Sequence, residues 1–313
     1  MDIRHLSLQE QDFLLGKRFS GAVGMHNLFE PLCSVPKSGP PVTACHVLLT
    51  APFFRRFPER PFSLPEHEQW MARLSALLWK RLNGPIHLMT DRVGAAYMRS
   101  IGMDQVYDEI IDDLHDSYGL NQEKYWASGK LLALSRLKAP CMIMDMDLAV
   151  WQPLALQGLP LAAAHIEHLN ERFYPDPRTF FEMSPRYAFP EDWNYAAEPL
   201  NTAVMYIGNE ELRQMYLKES FRFMQFERDT PDNGSNCMIF AEQRILAMCA
   251  ARMGIQPTVL LDYDRLGDPQ PLITHTWSGK HVMNSVSKLA DAFSACCRER
   301  CMELAASCTA VIE

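Results

Sequence analysis

No CxxC pair, no GxGxxG, no GxxxxGK[ST], no Lys/Arg-rich block and no signal-like leader occur in the 313 residues. The missing glycine patterns argue against a Rossmann dinucleotide fingerprint and a P-loop NTPase. No apolar run approaches the roughly 20 residues of a membrane helix, so no integral membrane segment is expected. Thirty basic against 38 acidic residues leave a formal charge of −8, and a nucleic-acid backbone is an unsuitable partner for such a chain. Any phosphate it binds must be neutralised locally, by a few side chains or a metal. The opening "MDIRHLSLQEQDF" is mixed and acidic, unlike a secretory signal, which points to a cytoplasmic protein. The nine cysteines then read as reduced thiols, and the sequon Asn233-Gly234-Ser235 matters only in a secreted chain.

What is present is a regular alternation. Residues 1–41 read as a helix-poor lead ending in the linker "SVPKSGPP". From Val42, "ACHVLLTAPF" (44–53) reads as a buried strand and "EHEQWMARLSALLWKRLNG" (66–84) as an amphipathic helix closed by Gly84. A strand at 85–91, a helix at 93–103, a short strand near 105–111, a helix at 125–138 and a strand at 141–145 follow. This order predicts an α/β fold with a mostly parallel central sheet flanked by helices. Further on, strands are expected at 159–168 ("LPLAAAHIEH"), at 201–208 and in "TVLLDYD" (258–264), with helices over 210–227 and 236–254. Between them, 172–193 reads as a Pro/aromatic loop, with Phe173, Tyr174, Trp193 and Tyr195 as a candidate ligand platform or, equally, a cover over the core. The tail 286–313 predicts an amphipathic helix, with Leu289, Phe293, Cys297, Cys301, Leu304 and Cys308 on one face. That face is a possible contact surface, and the oligomeric state stays open.

The chemistry centres on "PCMIMDMDLAVWQPL" (140–154), where an apolar run meets Asp145 and Asp147. In an open α/β sheet, ligands bind beyond the C-terminal ends of the strands. Side chains at i and i+2 point the same way along an extended chain. Two adjacent carboxylates repel one another, and a divalent cation removes that penalty. A Mg²⁺ or Mn²⁺ held by one or two carboxylates keeps open positions for substrate phosphates. Haloacid-dehalogenase-like phosphohydrolases, with Asp145 as nucleophile, and nucleotide-sugar-dependent glycosyltransferases both place DxD after a buried strand. Three α/β elements precede Asp145, and that order favours the glycosyltransferase.

Four segments in order over 42–285 carry a resemblance. They are "YWASGKLLALSRLKAPCMIMDMDLAVW", "LNTAVMYIG", "AEQRIL" and "THTWSGKH". Together they resemble GT-A-type glycosyltransferases, most closely the glycosyltransferase family 8 pattern and its DxD-containing bacterial relatives. The resemblance implies a GT-A-like single catalytic domain over 42–285, with a nucleotide-binding half (42–158) and an acceptor half (159–285). It implies Mn²⁺ (or Mg²⁺) held by Asp145, Asp147 and His275, and a nucleotide-sugar donor, a UDP-sugar foremost. Lys280 would contact the diphosphate, with Trp277 and Gly279 of the same motif beside it. Lys130 would touch phosphate or sugar, and Asp91 the ribose or base. Asn201, Glu242 and Gln243 would sit at the reacting sugar. The implied reaction moves a sugar to a hydroxyl of a saccharide or other acceptor, with retention of configuration. The alternatives are the phosphohydrolase and a non-catalytic binding protein of GT-A shape.

Overall fold

The computed structural model describes residues 3–17, 21–33, 40–228, 230–231 and 234–309. Most of the linker "SVPKSGPP", Asn233 of the sequon and the side chain of Cys308 lie outside the described residues.

Nine strands are described: β1 Ala44–Leu48, β2 Ile86–Thr90, β3 Glu109–Ile111, β4 Cys141–Met144, β5 Leu148–Val150, β6 Leu161–Ile166, β7 Leu200–Ile207, β8 Thr258–Val259 and β9 Ile273–His275. The helices are α1 Leu8–Leu14, α2 Ala51–Arg56, α3 Glu66–Leu82, α4 Arg92–Ser100, α5 Gly129–Leu134, α6 Pro177–Phe180, α7 Glu210–Phe226, α8 Asn236–Ile239, α9 Ile245–Arg252, α10 Gly279–Ser285 and α11 Ser287–Thr309. A π-helical turn, Phe240–Arg244, joins α8 to α9.

Seven strands form one sheet in the order β3-β2-β1-β4-β7-β6-β8. β1 lies parallel to β2 and β4, and β2 to β3, whereas β7 runs antiparallel to both β4 and β6. The fold is therefore α/β with a mostly parallel sheet, as the alternation predicts. Every residue of β4 and β7 is buried, as central strands covered on both faces require. One apolar layer centres on α7 and α9, and another on α3 and α4. β5 and β9 form a separate antiparallel ribbon that pairs Leu148 with His275.

Several expected elements are shorter than the apolar pattern suggested. The strand expected over 44–53 stops at Leu48, because Pro52 sits in the first turn of α2, where a missing N–H costs nothing. The helix expected over 125–138 is only Gly129–Leu134, since the residues before it bond to another segment. Of "TVLLDYD" only Thr258–Val259 is strand, and the Asp262 side chain caps a 3₁₀ turn by accepting from the Asp264 N–H.

The lead contains structure as well. Ser7 and Glu10 form a reciprocal capping box on α1, and Met25–Phe29 is a 3₁₀ helix. Leu14, Met25 and Leu28 join Leu74 and Leu78 of α3 and Leu289, Phe293, Cys297 and Cys301 of α11 in a third apolar cluster. The apolar face of the tail is thus covered within the chain. No helix among the described residues is long and apolar enough to cross a membrane.

Candidate functional site

β4 ends at Met144 beside β7, where the Asp145 N–H donates to the Ala203 carbonyl (2.7 Å). A tight turn follows, with the Leu148 N–H donating to Asp145 O (3.2 Å), and β5 begins. Pairing of β5 with β9 then brings His275 across to the aspartates. Ligand atoms of Asp145, Asp147 and His275 lie within 4.8 Å of one another. His275 Nε2 stands 3.6 Å from Asp147 Oδ1. Two carboxylates and an imidazole at this spacing could hold a divalent cation.

Each aspartate also holds a lysine. Lys280 Nζ is 3.0 Å from Asp147 Oδ2, and Lys130 Nζ is 2.7 Å from Asp145 Oδ1. Burial alone would raise the pKa of Asp147, but Lys280 and then His275 overturn it and hold the carboxyl well below the usual range. At Asp145 burial prevails over Lys130, with Asp147 adding repulsion, and the pKa is raised. Lys130 is pushed up: burial opposes its charge, and Asp145 and Glu242 more than restore it. Four carboxylates (Glu68, Asp145, Asp147, Glu242) and two lysines line the cleft, so two formal negative charges are left over for a dication.

The cleft has a volume of ≈ 280 Å³, and its far wall is built by β7 and the π-helical turn. Such turns, with one residue too many for an α-helix, recur at functional sites. This one presents Glu242 and Gln243. Glu242 Oε1 accepts from Thr202 Oγ1 (2.6 Å) and from Lys130 (2.8 Å). Asn201 donates to Glu167 Oε1 (2.8 Å). The Tyr174 hydroxyl lies 2.6 Å from both Glu167 Oε2 and Gln243 Oε1. The hydroxyl thus ties Gln243, on the π-helical turn, to Glu167 beside β6.

Nine of the eleven residues anticipated at the site line this cleft: Lys130, Asp145, Asp147, Asn201, Glu242, Gln243, His275, Trp277 and Lys280. Trp277 adopts φ = 41°, a left-handed conformation rare for a large residue, and its ring stacks on His275 (5.8 Å, 7°). Gly279 lies behind the cleft, where its N–H donates to Gly21 O (2.8 Å) and an added Cβ would come within 2.9 Å of Ala22. Asp91 does not line the cleft. Its carboxylate caps α4 through the Gly94 N–H (2.8 Å) and accepts the Thr50 N–H (2.7 Å) and hydroxyl (2.9 Å). None of the four loop aromatics lines the cleft either; Tyr174 and Trp193 are buried.

Two contributors lay outside the motifs. The lead holds His275 by paired backbone bonds, Val23 N–H to His275 O (2.9 Å) and His275 N–H to Val23 O (3.0 Å). Gly24 makes this possible at φ 61°, since a Cβ there would lie 1.9 Å from Ile273 O. The run Gly21-Ala22-Val23-Gly24 is a faint signal of such close packing. The second is Glu68 of α3, whose carboxylate lines the cleft, whereas Trp126, on the rim just before α5, lies within the first motif but was given no role there.

A family model described as "Family of unknown function (DUF6734)" matches residues 62–274. The chain belongs to this family. The DUF6734 match takes in the DxD and the whole π-turn with Glu242 and Gln243, and it ends one residue before His275. No curated protein matches the chain. Among solved structures, the glycosyltransferase GlyE of Streptococcus pneumoniae TIGR4, apo form, is similar at 14% identity and TM-score 0.38, over 75% of this chain and 54% of that one. The chain thus spans about half the length of that structure. Mouse xyloside xylosyltransferase 1 is similar at 12% identity and TM-score 0.38, over 80% of this chain and 94% of that one. A galactosyltransferase LgtC, in complex with donor and acceptor sugar analogues, is similar at 11% identity and TM-score 0.41, over 80% of this chain and 96% of that one.

Proposed function

We propose that this chain is a metal-dependent glycosyltransferase that moves a sugar from a nucleoside-diphosphate sugar, a UDP-sugar foremost, to an acceptor hydroxyl with retention. The observation that carries the reading is the convergence of Asp145, Asp147 and His275 within 4.8 Å, at a cleft that also presents Lys130 and Lys280. When bound, Mn²⁺ or Mg²⁺ supplies Lewis-acid stabilisation of charge on the departing diphosphate.

The chain's own groups do the rest. Lys280 keeps Asp147 ionised and adds a positive charge beside the phosphates, an electrostatic contact of the kind whose loss costs about 10²–10³ in rate. Asn201 and the Gln243 amide face the cleft as hydrogen-bonding groups for sugar hydroxyls. Glu242 already accepts from Lys130 and Thr202, which suits it to hold Lys130 in place rather than to take a proton. In the reaction the bond from the anomeric carbon to the diphosphate breaks and a bond to the acceptor oxygen forms. The acceptor's proton leaves with the diphosphate, so retention needs no separate base.

The test is turnover of UDP-, GDP-, CDP- and TDP-sugars with and without Mn²⁺, beside a generic phosphate ester. Mn²⁺-dependent release of a nucleoside diphosphate is the expected result. Release of phosphate from the ester with no use of any sugar nucleotide would establish the phosphohydrolase instead. Binding of a nucleotide sugar with no turnover would leave a non-catalytic protein.

A further inference from the structure

Among the exposed large apolar side chains of the described residues, Trp126 alone lines the cleft, and it is 48% exposed. A single exposed apolar residue is ordinary. The way this one is held is not. Three consecutive residues fasten to the segment that leads into α8 and the π-turn. Lys124 Nζ pairs with the buried Glu227 carboxylate (2.9 and 3.0 Å) and donates to Arg228 O (2.8 Å). The Tyr125 hydroxyl donates to Glu227 Oε2 (3.0 Å), and Trp126 Nε1–H donates to Gly234 O (3.2 Å).

Burying an ion pair costs desolvation that only good geometry offsets. Here it fixes the backbone on one side of the indole, while the indole N–H is fixed on the other. The ring is thereby held with much of its surface in water, at the mouth of a cleft lined by Lys130, Asn201 and Gln243. A rigid aromatic face loses little conformational entropy on binding. A flat apolar face beside several hydrogen-bonding groups matches a pyranose, which has an apolar C–H face and an edge of hydroxyls. The indole shares the lining of this cleft with Glu242 and Gln243.

We propose that Trp126 is the stacking platform of an acceptor subsite, and that the acceptor is a saccharide. This rests on the glycosyltransferase reading above and names its acceptor class. Trp126 touches the acceptor ring and takes no part in bond making.

The test uses the full chain labelled with 5-fluorotryptophan, with the Trp126 resonance assigned by its loss in Trp126→Phe. Cellobiose, maltose, lactose and chitobiose are titrated without metal or nucleotide. At least one should shift or broaden the Trp126 signal, with the affinity, followed by saccharide line broadening, about 2- to 10-fold weaker in Trp126→Ala and partly restored in Trp126→Phe. Binding of UDP with Mn²⁺, followed by thermal shift, should be the same in Trp126→Ala as in the unaltered chain. The proposal is overturned if none of the four sugars perturbs Trp126 at tens of millimolar. It is equally overturned if Trp126→Ala weakens UDP and spares the sugars, which would assign the indole to the nucleobase. Failure of UDP and Mn²⁺ to bind the unaltered chain, with sugars still bound at Trp126, would strike the parent reading alone.

Discussion

Consider replacing Lys130 by methionine, which keeps the length of the stem and removes the charge. Lys130 Nζ is 2.7 Å from Asp145 and 2.8 Å from Glu242, and its side chain is only 14% exposed. The substitution leaves two carboxylates without their cation, Glu242 at 4% exposure and Asp145 at 26%. Removing one partner of a buried ion pair costs about 3–5 kcal/mol. Glu242 retains its bond from Thr202, and Asp145 keeps some contact with water, so the lower end is expected. For a chain of this size about 1 kcal/mol corresponds to roughly 2 °C in Tm, so Lys130→Met should melt about 6 °C lower. The double variant Lys130→Met/Glu242→Met exchanges the Lys–Glu pair for apolar volume, which is often neutral, and should recover much of the loss. Differential scanning calorimetry of the three proteins decides the matter. A Lys130→Met protein melting within about 2 °C of the unaltered chain, or a double variant melting below the single one, would mean that Lys130 does not neutralise these carboxylates.

Three further outcomes follow from the same geometry. Gly24→Val places a branched side chain at φ 61° and against Ile273 O, so it should destabilise by several kcal/mol in chemical denaturation, and an unchanged midpoint would deny that the lead supports β9. Phe293→Ala removes a fully buried ring of α11 and should cost about 3–5 kcal/mol, whereas a loss below about 1 kcal/mol would mark the tail as an appendage. Asp147 has a depressed folded pKa, so its ionisation stabilises the fold above its unfolded value near 3.8 and that contribution is lost as pH falls below it. In Lys280→Met the folded pKa rises, so the stability gap to the unaltered chain should be full near neutrality and shrink below about pH 4 in urea titrations. A gap independent of pH would contradict the pairing.

The frame of this molecule was legible because periodicity reports burial. The continuous apolar runs of β4 and β7 and the three- and four-residue spacing of α11 state which faces are covered. Where hydrogen bonding rather than burial decided the structure, the pattern misled. Asp91 was legible as a strand-ending acid and its bond to Gly94 is an ordinary helix cap, but nothing in its neighbours told that Thr50, 41 positions away, would also take up its carboxylate. The segment before α5 looked helical, yet Lys124 and Tyr125 bond to Glu227, some hundred positions away. Such long-range pairing leaves no local trace. The DxD and the "THTWSGKH" segment pointed to the cleft because i, i+2 alternation and the order of the motifs constrain where side chains meet. The lead's role behind His275 stayed hidden, since a bridge between Val23 and His275 depends on backbone atoms that every residue has.

The most direct measurement is calorimetric titration of Mn²⁺ into the unaltered chain and into Asp145→Ala, Asp147→Ala and His275→Ala, with folding checked by circular dichroism. One ion should bind the unaltered chain, with binding weakened or abolished in each variant while the fold persists. No heat of binding in the unaltered chain, or equal binding in folded variants, would contradict the metal centre on which the proposed chemistry depends.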